Sequence, residues 1–195
     1  MQKAQIRSVV KNTLLKIDEQ NRFRPAFLDQ HINAVYEQMF SEMYSKDKRG
    51  IQKYVREFTD ASTGDSLVTG YTIPNLPIVL PRKGGGLFKF KSTSKAYVVT
   101  DLQGLDAVND SLFDTADIKG NYLVAMSGST IYGNTTIANG ETITYRIIPK
   151  FTTFGETDEV LIPYGGEEMF IDRIIETIRQ IPPTDLINDN TYNNG

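Results

Sequence analysis

Apolar residues fall at helical spacing at both ends of the chain and shift towards alternation between them. Ile6, Val9, Val10, Leu14 and Ile17 lie 3, 1, 4 and 3 residues apart and predict a first helix from Lys3 to Glu19. The stretch 21–24 breaks the pattern, and Pro25 suits a first helical turn. Leu28, Ile32, Val35, Tyr36, Met39, Phe40, Met43 and Tyr44 follow the i, i+3, i+4, i+7 rule and predict a second helix. Its stripe is wide and rich in aromatics and Met, which fits a core face or, alternatively, a seat for a partner helix. Ile51, Tyr54, Val55 and Phe58 share one face and predict a short third helix over 50–58. Turn residues at 60–65 then close the helical part.

From Leu67 to about Thr153 the pattern reads as β. Short strands are expected over 67–73, 76–80, 87–91, 96–100, 122–126, 130–132 and 142–148, with a short helix within 102–112. Phe88 and Phe90 alternate with Lys89 and Lys91, so one face is buried and the other basic. The strands at 76–80 and 87–91 flank Pro81-Arg82-Lys83-Gly84-Gly85-Gly86, a hairpin with a flexible tip. Gly133-Asn134 and Asn139-Gly140 supply further turns.

Phe170, Ile171, Ile174, Ile175 and Ile178 form the apolar face of a last helix over 167–180, with Glu167 and Glu168 in its first turn. Pro182-Pro183 stops it, and a polar tail runs to Gly195. The expected fold class is α+β. N-terminal helices and a C-terminal helix pack together, with an inserted small antiparallel β sheet or barrel and a polar C-terminal arm. The corresponding regions are helical (1–64), β-rich (65–160), the C-terminal helix packing on the helical region (161–181) and an extended tail (182–195).

At 195 residues the chain can bury a core without staples. It has no cysteine, which removes disulfides, thiolate nucleophiles and Cys-based metal sites. No apolar run approaches a membrane span, and the polar N-terminus lacks the apolar core of a signal peptide, so a soluble chain made in the cytoplasm is expected. Net charge is −3 but unevenly spread: residues 1–100 carry sixteen Lys/Arg against nine Asp/Glu, and residues 101–195 five against fifteen. Such a split either reflects solvated surfaces of different sign or steers one subunit onto the opposite face of another.

No residue set points to catalysis, a cofactor or a metal. His31 is the only histidine and has no nucleophile elbow beside it. Glu168, Asp172 and Glu176 form an acidic row at i, i+4, i+8, which reads as a solvated face or as an intersubunit contact with the basic first half. The glycines after Arg82-Lys83 precede a strand rather than a helix, so the loop is not a P-loop. Arg82, Lys83, Gly84, Gly85 and Gly86 are candidate interface residues, for a neighbouring subunit or a nucleic-acid backbone. With Lys89, Lys91 and Lys95 they make a basic, partly aromatic patch that carries no base-reading motif. In the tail, Pro182, Pro183, Leu186, Ile187 and Tyr192 are candidate interface residues of an arm that orders on a neighbour, anchored by Leu186 and Ile187; the alternative is a disordered end.

Three segments carry a resemblance: the helical stretch Leu28-Asp29-Gln30-His31-Ile32-Asn33-Ala34-Val35, the loop Leu80-Pro81-Arg82-Lys83-Gly84-Gly85-Gly86, and Ile162-Pro163-Tyr164-Gly165-Gly166-Glu167-Glu168-Met169-Phe170-Ile171 with the Pro-Pro and Asp/Asn tail. In this organisation the chain resembles the head-to-tail connector (adaptor or ring) proteins of tailed phages, nearest to the ring proteins of crAss-like short-tailed phages. The β insertion departs from the mostly helical adaptors of other short-tailed phages. The resemblance implies a non-enzymatic virion protein of the neck, a homo-oligomeric ring commonly of about twelve copies. It would dock on the portal protein or on adjacent ring and tail proteins, extend the DNA channel with a passing contact to packaged DNA, and provide a platform for the tail. A tail hub component, a head decoration protein and a ligand-binding β module are the alternatives.

Overall fold

The computed structural model describes residues 1–17, 24–64, 67–82, 85–109 and 122–181. The chain divides into two compact units, Met1–Met39 with the chain from Phe154 onward, and Phe40–Thr153. The fold is α+β. The stretch 154–160, expected with the β region, belongs to the helical unit.

The helical unit contains α1 (Lys3–Ile17), the first part of α2 (Pro25–Lys46), and α4 (Glu167–Arg179). Ile6, Val10 and Leu14 of α1 are buried, as are Leu28, Ile32, Val35, Tyr36 and Met39 of α2. Val9 falls outside the stripe and is 40% exposed. Phe170, Ile171, Ile174, Ile175 and Ile178 bury one face of α4, each contributing roughly 1.5–3 kcal/mol. The Tyr36 ring meets Phe154 and Phe170 edge-on, with centroids 6.4 and 6.1 Å away, and its hydroxyl donates to the Leu161 carbonyl at 3.3 Å. Arg7 holds Asp29 through two parallel bonds of 2.9 and 2.7 Å, and its remaining nitrogen reaches Glu156 at 2.9 Å. The buried Lys3 ammonium donates to the Phe154 carbonyl at 2.8 Å, with Asp29 3.8 Å away. These ions tie α1, α2 and the 154–160 segment together.

The second unit is a seven-stranded sheet: β1 (Arg56–Thr63), β2 (Tyr71–Thr72), β3 (Leu87–Ser92), β4 (Ala96–Val99), β5 (Tyr122–Ser127), β6 (Thr130–Gly133) and β7 (Asn139–Ile147). The spatial order is β1-β7-β3-β4-β5-β6-β2. Every pairing is antiparallel except β4 with β5, so the sheet is mixed rather than wholly antiparallel. A parallel pair needs a long crossover. The stretch from Thr100 supplies it, with helix α3 (Leu102–Asn109) at its start. The sheet curls until its edge strands meet: Tyr71 on β2 donates to Asp60 on β1 at 3.2 Å. Its interior is filled by Leu67, Ile73, Leu87, Phe90, Tyr97, Val124, Ile131, Ile137, Ile143, Tyr145 and Ile147. These side chains pack the inside of the curl, and the edge strands β1 and β2 are not paired through their backbones.

Several expected elements differ. The third helix is only a 3-10 turn, Gly50–Tyr54. Phe58 instead lies on β1 and stacks on Tyr145 of β7 at 5.7 Å, because cross-strand packing outweighs a short local period. The β region therefore begins at Arg56, before the expected boundary. The expected strand at 67–73 shrinks to Tyr71–Thr72, since Gly70 takes a φ of 100°. The segment 76–80 is not a hairpin partner of β3. It runs along the end of β7, with Ile78 N–H donating to Ile148 O at 2.9 Å and Lys150 N–H to Leu76 O at 2.8 Å.

Candidate interaction surfaces

The first candidate is the loop after Leu80. Lys83 and Gly84 lie outside the described residues. Arg82 N–H donates to Leu80 O at 2.8 Å, and Gly85 N–H to Arg82 O at 3.0 Å, so the chain turns tightly. Gly85 takes a φ of 54°, and Gly86 is packed so closely that a Cβ would lie 2.2 Å from the Ile78 carbonyl oxygen. The register of β3 against β7 slips between Leu87 and Lys89. That bulge falls at Phe88, and bulges re-aim side chains. The Arg82 guanidinium carbon sits 4.2 Å from the centroid of the Phe88 ring. Its Nη1 is buried with no hydrogen-bond partner among the described residues. Burial pushes the Arg82 pKa down, as expected for a cation partly removed from water.

The second candidate is the outer face of the sheet. Alternation along β3 buries Phe90 and leaves Lys89 and Lys91 exposed. Lys89 stands beside Arg146 of β7, and Arg146 beside Glu57 of β1. Arg146 Nε is 2.6 Å from Glu57 Oε2. The Glu57 carboxyl is held below its usual range, first by that hydrogen bond and then by the charges of Arg146, Lys91 and Lys89. Lys95, expected in the same patch, serves the fold instead. Its ammonium donates to Thr135 Oγ1 at 3.1 Å and Thr136 O at 3.2 Å, over the Tyr122 ring.

The third candidate is the approach to α4. Pro163–Gly165 forms a 3-10 turn in which Tyr164 takes φ 62°, ψ 5°. This left-handed conformation costs a residue bearing a Cβ about 1–2 kcal/mol. Tyr164 is nevertheless 45% exposed, with Leu161 and Met169 each 37% exposed nearby in sequence. Sequence reasoning singled out this segment but not its exposed aromatic, because nothing in Pro-Tyr-Gly demands a positive φ at the tyrosine. Along α4, Glu168, Asp172 and Glu176 are all exposed.

His31 lies one turn from Phe27 on α2, ring centroids 4.3 Å apart, and its pKa is lowered by burial. An open cleft of about 290 Å³ lies beside α3, lined by Val68, Leu102, Leu105, Asp106, Tyr132 and their neighbours. Among the described residues no group of three His, Asp or Glu side chains is placed to hold a metal ion. No described helix is long and apolar enough to cross a membrane. Pro182, Pro183, Leu186, Ile187 and Tyr192 lie outside the described residues. The chain matches no protein-family model, and no curated protein matches it.

Proposed function

We propose that this chain is a phage virion structural protein that forms a ring of the head-to-tail connector beneath the portal. It would extend the DNA channel and give the tail its platform. The resemblance in the segments around Leu28, Arg82 and Ile162 motivates this reading. The observation that carries it is the contrast between a sheet interior filled by its own side chains and outer features left exposed among the described residues. Those are the Lys89/Lys91 face and the exposed Tyr164. A protein built this way acts through what docks on its outside. A closed ring needs two different faces on each subunit, one fitting the other. The filled sheet interior leaves little support for a ligand held inside the β region.

Antibody labelling of intact phage particles tests the position. Labelling at the junction of head and tail is expected. Labelling spread over the head or confined to the tail tip would replace the ring with a decoration or hub protein.

A further inference from the structure

The outer face of β1, β7 and β3 presents three cations, Arg146, Lys89 and Lys91, to one carboxylate, Glu57. Lys89 and Lys91 are exposed and have no hydrogen-bond partner among the described residues. The neighbouring strand β4 adds Val98, 55% exposed. This is a broad sheet face with surplus positive charge and some uncovered apolar surface.

Helix α4 has the complementary character. Its apolar face is buried, and Glu168, Asp172 and Glu176 stand exposed on the opposite side, without ion-pair partners among the described residues. Residues four apart on a helix rise about 6 Å. Residues two apart on a strand are separated by roughly 6.6 Å, and neighbouring strands by about 4.8 Å. A helix laid along β3 therefore sets successive carboxylates against Lys89 and Lys91, with Arg146 one strand over. Both sets of side chains are exposed among the described residues.

We propose that the Lys89/Lys91/Arg146 face of one copy receives the Asp172/Glu176 side of α4 from a second copy. The contact joins two different surfaces of the same chain, so it is heterologous and propagates head to tail. The occupant rests on the ring reading; the charge match and the spacing do not. The contact would also give the uneven charge of the two halves of the chain a use in setting the order of subunits.

Charge reversal tests it with the full chain. One variant carries Lys89→Glu and Lys91→Glu; another carries Asp172→Lys and Glu176→Lys, which leaves the first turn of α4 untouched. All four positions are exposed, so thermal melts should match the wild type. Sedimentation velocity is run at about 50 and 500 mM salt, a range over which surface charge is progressively screened. The wild type should self-associate at low salt and dissociate at high salt. Each variant alone should associate about tenfold more weakly or worse. An equimolar mixture of the two should recover association, because each then meets opposite charge on the other. Either variant associating like the wild type would overturn the contact while leaving the ring reading to the particle labelling. A wild type that stays monomeric at both salt concentrations, or a mixture that fails to recover, would overturn it as well.

Discussion

The hydroxyl of Tyr71 donates to the carboxylate of Asp60 across 3.2 Å, and the two residues sit on the two edge strands of the sheet. The bond joins the short edge β2 to the long edge β1. β1 itself is an eight-residue edge strand. The Asp60 carboxylate also acts on the Tyr145 hydroxyl, which Asn75 Nδ2 approaches at 3.0 Å. The contact between the sheet's edges and the polar end of its core therefore share one residue.

Tyr71→Phe should lower stability by about 1 kcal/mol, the usual net worth of a hydrogen bond in such a place. Asp60→Ala should cost more, because it also removes a group acting on Tyr145. Urea denaturation of both variants measures the difference. Equal losses would mean that Asp60 acts on Tyr71 alone.

Tyr145 is fully buried, and burial pushes its pKa from 10.0 to about 12. The folded state therefore holds the phenolic proton more tightly than the unfolded chain does. The resulting stability is complete below pH 10 and is lost as the pH rises towards 12. Burial raises the Tyr97 pKa in the same direction. The urea midpoint should fall steeply across this interval, and less steeply in Tyr145→Phe. An identical pH profile in that variant would remove Tyr145 as the source.

Arg7 bridges Asp29 and Glu156 while only a fifth of its side chain is exposed. Arg7→Met keeps much of the aliphatic packing and leaves Asp29 with only the Lys3 ammonium 3.8 Å away. The expected loss is about 2 kcal/mol, less than for a fully buried pair because water still reaches the cluster. A loss below about 0.5 kcal/mol would place this cluster with ordinary surface ion pairs.

Tyr164→Gly separates stability from assembly. Glycine adopts the left-handed conformation without a Cβ clash, so the melting temperature should hold or rise slightly. If the exposed ring anchors a neighbour, the same substitution should weaken binding to the portal or to an adjacent ring protein. Unchanged binding would show that the tyrosine is only tolerated there.

The helices were largely legible because their signal is local. The stripe on α2 names buried residues apart from Tyr44, which is half-buried, and α4 buries all five of its predicted apolar positions. The sheet was legible only in part, because pairing is decided between distant segments. Ile51, Tyr54, Val55 and Phe58 fit a helical period, but Tyr145 fixes Phe58 on a strand. Asn139-Gly140 has the chemistry of a turn and is used inside β7, where Gly140 takes φ 81° near a register slip against β1. The reversal between β5 and β6 falls at Gly128-Ser129, with Gly128 at φ 60°. Of the site, the basic loop and the alternation of Lys89 and Lys91 could be read from residue type. The stacking of Arg82 on Phe88 could not, since it depends on a one-residue bulge.

Native mass spectrometry of this protein mixed with the portal protein of the same phage, with each alone as control, tests the connector reading most directly. The expected result is a complex holding a ring's worth of copies of this chain on one portal. Absence of any such complex, under conditions where the portal ring itself stays intact, would contradict docking beneath the portal.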